Sequence, residues 1–475
     1  MNEKIIKPKN KEQGEAIEKG IEFIESGDPD DFFVIGGKAG TGKTTIAEAI
    51  ISPYINKTNI LVCALSHKAK LVITEKLIKA FGSNCVVSKS VAGALGMNMD
   101  NETGKFVVDR NEDVRPPIKR ANIIVVDEAS MINEESHSLL MTEKKKKAKV
   151  IYLGDIRQLP PIRENDSKYR NKPSPIFYCK NYSILNERIR QGEESPILPF
   201  ADYFGDNSRL TIPKENPVPV DKRKNIVNEK GALVFADNID DVIETVLPLY
   251  KKAVDTGNMN IIKTVTYKNN NRRYINGLVR SYLFGRQECA IQYLKGDLLM
   301  FNDNYTIESF LEPISNSFEI QITSAVPQTR EYKVWELCFI YESKPVSVFA
   351  LDESEIKRHA ADVTARFEYA KKLPFGEERK EALSNAWGLK NRYAPVDYAY
   401  AITSHKSQGS TYNTVVVDEM DIMSVKPISN KQKSQSLYTA ITRASTTCIV
   451  IDGQQIDDTL NEAVKFSEKV LNEII

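Results

Sequence analysis

One segment constrains the fold of this chain more than any other: the nine residues 37–45, between a short apolar run and a predicted helix. They fit the phosphate-binding pattern G-x-x-x-x-G-K-[ST], whose glycines let backbone N–H groups turn towards phosphate oxygens. Residues 32–35 predict a buried strand, and residues 44–51 predict a helix whose N-terminus would face the anion. We therefore expect ATP to be bound by Gly37, Lys38, Ala39, Gly40, Thr41, Gly42, Lys43, Thr44 and Thr45.

Two of these side chains have specific expected roles. Lys43 should reach the β- and γ-phosphates, and the Thr44 hydroxyl should ligate Mg²⁺. The alternative is a glycine turn without function, but the position between a strand and a helix disfavours it. The sequence thus predicts ATP and Mg²⁺ as cofactors.

A pair of acids is the second feature. Residues 123–126 are apolar and predict a buried strand, and Asp127 and Glu128 follow directly. At such a strand end Asp127 can hold Mg²⁺, and Glu128 can orient or deprotonate the attacking water. Similar apolar runs at residues 60–65 and 150–153 alternate with helical segments. This alternation predicts an α/β fold with a parallel sheet covered on both faces.

Three further side chains could complete a phosphoryl-transfer site. Gln158, at the end of another predicted strand, could sense the γ-phosphate; a loop stiffened by the two prolines after Leu159 is the alternative. Arg190 and Arg443 could supply the positive charge that the γ-phosphate needs in the transition state. A single arginine is usually a surface residue. Both are far from Lys43 in the chain, as a two-lobed ATPase with nucleotide at the lobe interface would require.

Composition limits the other possibilities. The 475 residues are long enough for several domains, and the net charge of +1 neither requires nor excludes a nucleic-acid partner. The six cysteines form no CxxC pair, so neither a zinc site nor a disulfide framework is predicted. The apolar stretches are too short to span a bilayer, and the N-terminus lacks the apolar core of a signal peptide. We expect a cytosolic protein without a membrane partner.

Seven segments, taken in order, resemble the motifs of superfamily 1 helicases, specifically the RecD-like (superfamily 1B) DNA helicases and the Dda group among them. The segments are residues 37–45 (motif I), 64–69 (Ia), 127–130 (II), 154–161 (III), 185–191 (IV), 403–411 (V) and 438–444 (VI). Motif Ia has Leu-Ser where Pro-Thr is usual, and motif IV has Asn186 where threonine is usual. Gln13 lies where the family has an adenine-reading glutamine. The resemblance spans residues 13–444, and the ordered set is far more specific than any single motif.

The resemblance implies two RecA-like P-loop NTPase domains that close on ATP and open after hydrolysis. It adds Gln408 and Gly409 to the ATP-binding residues. It also implies DNA contacts by Ser66, His67, Ser404 and His405. Contacts of this kind go to the DNA backbone and do not read sequence. For the two histidines, a purely structural role is the alternative.

Two inserts are expected in these domains. Met97–Met99 and Phe106–Val108 flank a turn-forming sequence and predict a β-hairpin. The family resemblance makes this hairpin the pin that splits the duplex, with Met97, Met99 and Phe106 against the fork, although packing onto the lobe is the alternative. The β-rich region after Lys295 resembles an SH3-like tower.

The expected domain limits follow from these assignments. Domain 1A covers residues 1–195, with the hairpin insert 1B at about 88–118. Domain 2A covers residues 196–294 and 396–475, and the tower insert 2B covers residues 295–395. Residues from 191 to about 230 are rich in proline and lysine and predict irregular chain.

The predicted function is an ATP-dependent DNA helicase that moves 5′ to 3′ on single-stranded DNA; the direction rests on the resemblance alone. Expected partners are single-stranded and forked duplex DNA, with a single-strand-binding or replication protein as a further candidate. We expect a monomer that serves phage replication or recombination, in the host cytoplasm if it is phage-encoded. An RNA-directed ATPase of the same superfamily stays open, because backbone contacts do not distinguish the sugars. A binding module with an inactive ATPase core, or a metabolic kinase, is disfavoured by the intact motifs.

Overall fold

The computed structural model describes residues 7–65, 67–82, 86–100, 106–108, 115–161, 172–189, 195–207, 223–307, 313–426, 428–453 and 458–474. Ser66 and Arg190 lie outside the described residues, as do the side chains of His67, Met99 and Phe106.

The first lobe, residues 7–189, is built around one parallel sheet. Its strands are β1 (Phe33–Gly37), β2 (Ile60–Ala64), β3 (Val87–Ser90), β4 (Met97–Met99), β5 (Phe106–Val108), β6 (Ile123–Asp127), β7 (Lys149–Gly154) and β8 (Asn181–Leu185). Its helices are α1 (Lys11–Ser26), α2 (Lys43–Ile51), α3 (His67–Phe81), α4 (Val91–Leu95) and α5 (Glu134–Glu143). The sheet has the order β3-β2-β6-β7-β1-β8, and all its neighbouring strands are parallel. Strands β4 and β5 pair separately as an antiparallel hairpin.

Both faces of this sheet are covered by helices. In β6, Ile123 and Val125 pack with residues of α1, α2 and α3 on one face. Ile124 and Val126 pack with residues of α4 and α5 on the other. Successive side chains of a strand point to opposite faces, so a strand covered on both sides needs an unbroken apolar run. The two-faced parallel sheet predicted from those runs is confirmed.

The rest of the chain carries a second sheet and a separate β-rich segment. The helices are α6 (Ile197–Asn207), α7 (Ile239–Thr256), α8 (Asn269–Phe284), α9 (Ile356–Lys372), α10 (Glu377–Lys390), α11 (Glu419–Met423), α12 (Asn430–Ile441) and α13 (Thr459–Ile474). The strands are β9 (Ile226–Asn228), β10 (Gly231–Ala236), β11 (Ile262–Thr266), β12 (Leu298–Phe301), β13 (Glu319–Gln321), β14 (Ser324–Thr329), β15 (Lys333–Tyr341), β16 (Lys344–Leu351), β17 (Val396–Tyr398), β18 (Ala401–Thr403), β19 (Tyr412–Asp418) and β20 (Ala444–Ile451).

The second lobe is the part of this region that surrounds the second sheet. The sheet has the order β18-β11-β19-β20-β10-β9 and is parallel except for β9. Residues of α7, α8 and α13 pack on one face, and residues of α6 and α12 pack on the other. Its strands therefore repeat the buried parallel arrangement of the first lobe.

The segment from β12 to β17 has a different architecture. It contains two three-stranded antiparallel sheets, β13-β12-β17 and β14-β15-β16, together with the antiparallel neighbours α9 and α10. Two buried ion pairs fasten it to the second lobe: Lys263 with Glu319, and Arg280 with Asp297, each at 2.9 Å. The predicted strands are present, while the SH3-like assignment and the limits 295–395 stay predictions.

Helix α6 lies where the sequence predicts irregular chain, so that prediction is wrong for residues 197–207. Its apolar residues Ile197, Phe200, Ala201 and Phe204 recur at helical spacing and are buried in the second lobe. Pro199 is in the first turn, where a helix tolerates proline. The proline and lysine content of the longer segment concealed this signal. Among the helices in the described part of the chain, none has the length and apolar character needed to cross a bilayer.

Candidate nucleotide site at the lobe interface

The loop between β1 and α2 is shaped to approach an anion closely. Gly40 and Gly42 have φ values of +84° and +85°, in the left-handed region that favours glycine. Gly37 lies so close to β8 that a Cβ atom there would be 2.7 Å from the carbonyl oxygen of Leu185. These three positions therefore require glycine for reasons of backbone conformation and space.

Lys43 and Gln13 hold this loop from two sides. Lys43 Nζ donates to the carbonyl oxygens of Gly37 at 2.8 Å and Lys38 at 3.0 Å. Gln13 is buried, donates through Nε2 to the Thr41 carbonyl at 3.1 Å, and accepts the Lys9 N–H at 3.0 Å. Because a glutamine amide offers two donor hydrogens and two acceptor lone pairs, Gln13 can still donate and accept one bond each.

The two acids at the end of β6 have the electrostatics of a cation site. Burial raises the pKa of Asp127 to about 6, and the Glu128 carboxylate acts in the same direction; the hydrogen bond from the Glu128 N–H and the charges of Lys43 and Lys76 oppose it. A divalent cation bound beside Asp127 would favour its ionised form. Glu128 has φ +53°, a left-handed conformation that is uncommon for a residue with a side chain and occurs at functional sites.

Residues from both lobes line one cavity of about 260 Å³. The first lobe contributes Ala39, Gly40, Gly42, Lys43, Thr44, Thr45, Lys76, Asp127, Glu128 and Gln158. The second lobe contributes Leu198, Gly409, Thr411, Thr442, Arg443, Ala444 and Ser445. A larger cavity of about 640 Å³, lined by Arg115 and Arg120 among others, contains none of the residues singled out from the sequence.

The structure therefore brings together most of the predicted nucleotide residues, from Ala39 to Arg443, which are 404 positions apart in the chain. Gln13, Gly37, Lys38, Thr41 and Gln408 support the surrounding loops and are not among the lining residues. Sequence reasoning missed Lys76 and Leu198. It also passed over Thr411, Thr442 and Ser445, although the first two lie within the recognised motifs. Lys76, on α3, had no motif to indicate it.

Arg443 is held rigidly at the edge of this cavity. Its guanidinium donates through Nε to the Thr439 carbonyl at 3.0 Å, through Nη1 to the Ser410 carbonyl at 3.2 Å, and through Nη2 to the Thr442 hydroxyl at 3.1 Å. The side chain is buried. A fixed, buried cation facing a phosphate site is what stabilisation of a phosphoryl-transfer transition state requires.

The loop that carries Gln158 is held by hydrogen bonds from the second lobe. The Thr439 hydroxyl accepts the Leu159 N–H at 3.2 Å, Gln408 Nε2 donates to the Leu159 carbonyl at 3.2 Å, and Gln435 Nε2 donates to the Gln158 carbonyl at 3.0 Å. Among the described atoms, Gln158 Oε1 is buried and has no hydrogen-bond partner. Gln158 thus has an acceptor available in the cavity, and Gln408 acts between the lobes.

Tyr438 is a further connection between the lobes. Its buried hydroxyl donates to Asp155 Oδ2 at 2.6 Å and accepts the Ala39 N–H at 3.2 Å. One side chain of α12 is thereby bonded both to the end of β7 and to the phosphate loop.

The predicted DNA contacts of the second lobe lie just after β18. Ser404 is fully buried, which favours a structural role for its side chain. His405 packs edge-on against Tyr267, with 5.7 Å between ring centroids, and burial lowers its pKa to about 4. His405 is therefore neutral near pH 7 and can offer DNA a hydrogen bond but not a positive charge. Burial also lowers the pKa of the adjacent Lys406, to about 8.

The β4–β5 hairpin has the pairing that the sequence predicts, with Met97 opposite Val108 and Met99 opposite Phe106. Met97 and Val108 are partly buried against the core of the first lobe. Met97 thus packs onto the lobe, which was the alternative to a contact with the fork. Val107 is exposed. The pin role of this hairpin stays a prediction.

Known proteins share this arrangement. The AAA domain family matches residues 22–164, and the UvrD-like helicase C-terminal domain family matches residues 398–451. The chain is 26% identical to the uncharacterized protein R530 of Acanthamoeba polyphaga mimivirus over 507 residues, covering 92% of this chain and 98% of that protein. It is 21% identical to the ATP-dependent DNA helicase dda of Enterobacteria phage T4, covering 81% of this chain and 86% of that protein.

A solved structure shares the fold as well. The Pif1 helicase from Bacteroides, in complex with ADP-AlF3 and ssDNA, superposes with a TM-score of 0.50 at 15% identity over 97% of each chain. The motifs in order on two lobes, the two family matches and the similarity to the dda helicase together support a superfamily 1B helicase of the Dda type.

Proposed function

We propose that this chain is an ATP-dependent DNA helicase that moves 5′ to 3′ along single-stranded DNA and couples ATP hydrolysis to duplex unwinding. The observation that carries the proposal is the cavity shared by the two lobes, with Lys43, Asp127 and Glu128 on one side and Arg443 on the other. ATP bound there would contact both lobes, so its hydrolysis would change how they are held together.

The roles of the side chains follow from the charge that develops at the γ-phosphate. Lys43 would leave its carbonyl partners and bind the β- and γ-phosphates, while Glu128 would orient and deprotonate the attacking water. Gln158 would fix that water by accepting its hydrogen at Oε1, or sense the γ-phosphate by donating from Nε2. Arg443 would stabilise the transition state, a contribution of about 10³–10⁵ in rate for arginines of this kind. Arg190, outside the described residues, is proposed as a second such arginine.

Mg²⁺ fits the residues at the end of β6. Thr44 and Asp127 both line the cavity and offer the hard oxygen ligands that Mg²⁺ prefers. Mg²⁺ usually takes only one or two protein carboxylates, together with phosphate oxygens and water. The bound ion would neutralise charge on the β- and γ-phosphates. The residues also fit adenine, through the remaining donor and acceptor of Gln13.

We propose that DNA crosses both lobes, at Ser66 and His67 on the first and at the turn of Ser404 and His405 on the second, where His405 would contact DNA and the buried Ser404 would support the turn. For the second pair the support is position, because the turn after β18 leads directly to Gly409 in the nucleotide cavity. ATP binding and DNA binding would then be linked through one short segment. The Dda protein of phage T4 is named a DNA helicase, and the Pif1 structure contains ssDNA.

The hairpin and the β-rich segment complete the proposal. The β4–β5 hairpin would be the pin at the fork, with Met99 and Phe106 as its contact residues and Met97 as an anchor in the lobe. The segment from residue 295 to 395 would be the tower that braces it. Two relatives come from viruses, which supports a role in viral DNA replication or recombination.

Strand separation on tailed duplexes tests this function. Two forked DNA substrates, one with only a 5′ and one with only a 3′ single-stranded tail, would be incubated with enzyme, ATP and Mg²⁺. We expect unwinding from the 5′ tail alone. Unwinding from the 3′ tail alone would refute the direction. ATP hydrolysis without unwinding from either tail, stimulated by oligo-U rather than oligo-dT, would refute a DNA helicase in favour of an RNA-directed motor.

A further inference from the structure

A cluster of charged side chains joins the lobes beside the phosphate loop, and none of its members lines the nucleotide cavity. Asp202 and Asp206, one helical turn apart on α6, supply the acids. Lys38, Arg157 and Arg188 of the first lobe supply the bases. We call these five side chains the interlobe clasp.

Asp202 is the centre of the interlobe clasp. Its Oδ1 accepts a hydrogen bond from Arg188 Nη2 at 2.5 Å, and its Oδ2 lies 3.2 Å from Lys38 Nζ. All three side chains are at most a fifth exposed. Asp206 lies 3.1 Å from Lys38 Nζ and 3.2 Å from Arg157 Nε, but its side chain is half exposed. Charge-assisted bonds that are sheltered from water are stronger than exposed pairs, so Asp202 should matter more than Asp206.

The two bases bonded to Asp202 act directly on the phosphate loop. Arg188 donates through Nε to the Ala39 carbonyl at 3.2 Å, and the next residue, Ile189, donates its N–H to the Gly40 carbonyl at 3.1 Å. Lys38 is itself part of the loop, and its carbonyl accepts from Lys43 Nζ. Asp202 of the second lobe thus holds both the loop and the segment that leads to Arg190.

Helix α6 carries a glycine where it packs closely against Arg157 of the first lobe. Gly205 lies between the two acids in sequence, and a Cβ atom there would lie 2.8 Å from the Tyr438 ring and 3.0 Å from Arg157 Cδ. The apolar face of α6 is buried in the second lobe, so α6 moves with that lobe. The clasp can therefore form only when α6 is against the phosphate loop.

We infer that Asp202 is a positioning residue for ATP hydrolysis. It holds Arg188 and Lys38 when the second lobe closes, so the phosphate loop is fully positioned only in the closed arrangement. The inference rests on the proposed function, because it takes lobe closure to be a step of the DNA-driven ATPase cycle. ATP would bind largely through Lys43, Gln13 and the loop of the first lobe. Loss of Asp202 should therefore lower kcat while leaving the KM for ATP nearly unchanged.

The test is steady-state ATP hydrolysis, with saturating oligo-dT and without DNA, by the full chain and four variants. For Asp202→Asn we expect kcat with DNA to fall about tenfold, KM to stay within about twofold, and the thermal unfolding temperature to be unchanged. Asp202→Glu should recover part of the loss, and Asp206→Asn should have a smaller effect. The matched control is Asp255→Asn, an exposed acid on α7 against the opposite face of the second sheet.

A double variant separates positioning from general stability. If Asp202 acts through Arg188, Asp202→Asn combined with Arg188→Gln should be no slower than Arg188→Gln alone. An unchanged kcat for Asp202→Asn in an enzyme whose wild type is stimulated by DNA would overturn the inference and leave the proposed function intact. A joint fall in kcat and unfolding temperature with a raised KM would overturn it as well. A wild type that DNA does not stimulate would refute the proposed function, and this inference with it.

Discussion

Replacing Tyr438 by phenylalanine removes one hydroxyl that joins three parts of the site and leaves the ring packing in place. The hydroxyl donates to the carboxylate of Asp155 at 2.6 Å and accepts the Ala39 N–H at 3.2 Å. Burial raises the pKa of Tyr438 well above its usual value, so the donor is present at every working pH. A hydrogen bond to a charged group contributes about 1.5–3 kcal/mol, and a neutral one about 0.5–1.5 kcal/mol.

The expected loss follows from those values. In Tyr438→Phe, the Asp155 carboxylate still accepts a hydrogen bond from the Arg157 N–H at 3.0 Å, and water can enter the lobe interface. The lower ends of the two energy ranges therefore apply. We expect the closed arrangement to be weakened by about 2 kcal/mol, which is a factor of about 30. The kcat/KM for ATP at saturating oligo-dT should fall by about that factor.

The control is Tyr282→Phe, because Tyr282 is an exposed tyrosine of α8 in the same lobe. It should leave kcat/KM unchanged. A Tyr438→Phe enzyme within about twofold of wild type would refute the reasoning that this bond holds the lobes together in the active arrangement.

Three further predictions concern the same interface and its DNA side. Gly205→Ala places a methyl group 3.0 Å from Arg157 Cδ of the first lobe and 2.8 Å from the Tyr438 ring of the second lobe, so kcat should fall about tenfold; normal kcat would show that the lobe interface accommodates the methyl group. Arg443→Lys cannot reproduce three directed bonds, and kcat should drop by at least about 10², with a smaller change in the affinity for a fluorescent ADP analogue. The pKa of His405 is lowered to about 4 in the folded protein, against about 6.5 unfolded, so stability present above pH 6.5 is lost as pH falls towards 4. In urea unfolding at about pH 5, the free energy of unfolding of His405→Asn should have fallen by about 1–2 kcal/mol less than that of wild type. An equal fall in both proteins between about pH 7 and pH 5 would contradict the burial of a neutral imidazole.

The elements that the sequence predicted well are those whose signal is local. A buried strand such as β6 needs four consecutive apolar residues, and a phosphate loop needs glycine where φ is positive, so both can be read directly from adjacent residues. The order of the motifs also predicted that Arg443 and Lys43 lie at the same site, because the family resemblance implies which distant segments come together.

The features that were missed depend on contacts between distant segments. Asp202 belongs to no recognised motif, and its role is visible only once α6 lies against Lys38 and Arg188. Lys76 enters the cavity because α3 packs beside β2, which no local pattern specifies. The pKa of His405 is set by its burial in the folded lobe. Such effects depend on the tertiary structure and cannot be derived from the residues around each position.

The most direct test of the account is ATP hydrolysis by wild type and by Lys43→Ala, each measured with and without single-stranded DNA. The account predicts that DNA raises the wild-type rate at least about tenfold, because the proposed DNA contacts and the ATP cavity share the segment from Ser404 to Gly409. It also predicts that Lys43→Ala abolishes hydrolysis under both conditions while the protein stays folded and binds oligo-dT. A wild-type rate that DNA leaves unchanged, or a Lys43→Ala enzyme that keeps its DNA-stimulated rate, would contradict a motor driven from this site.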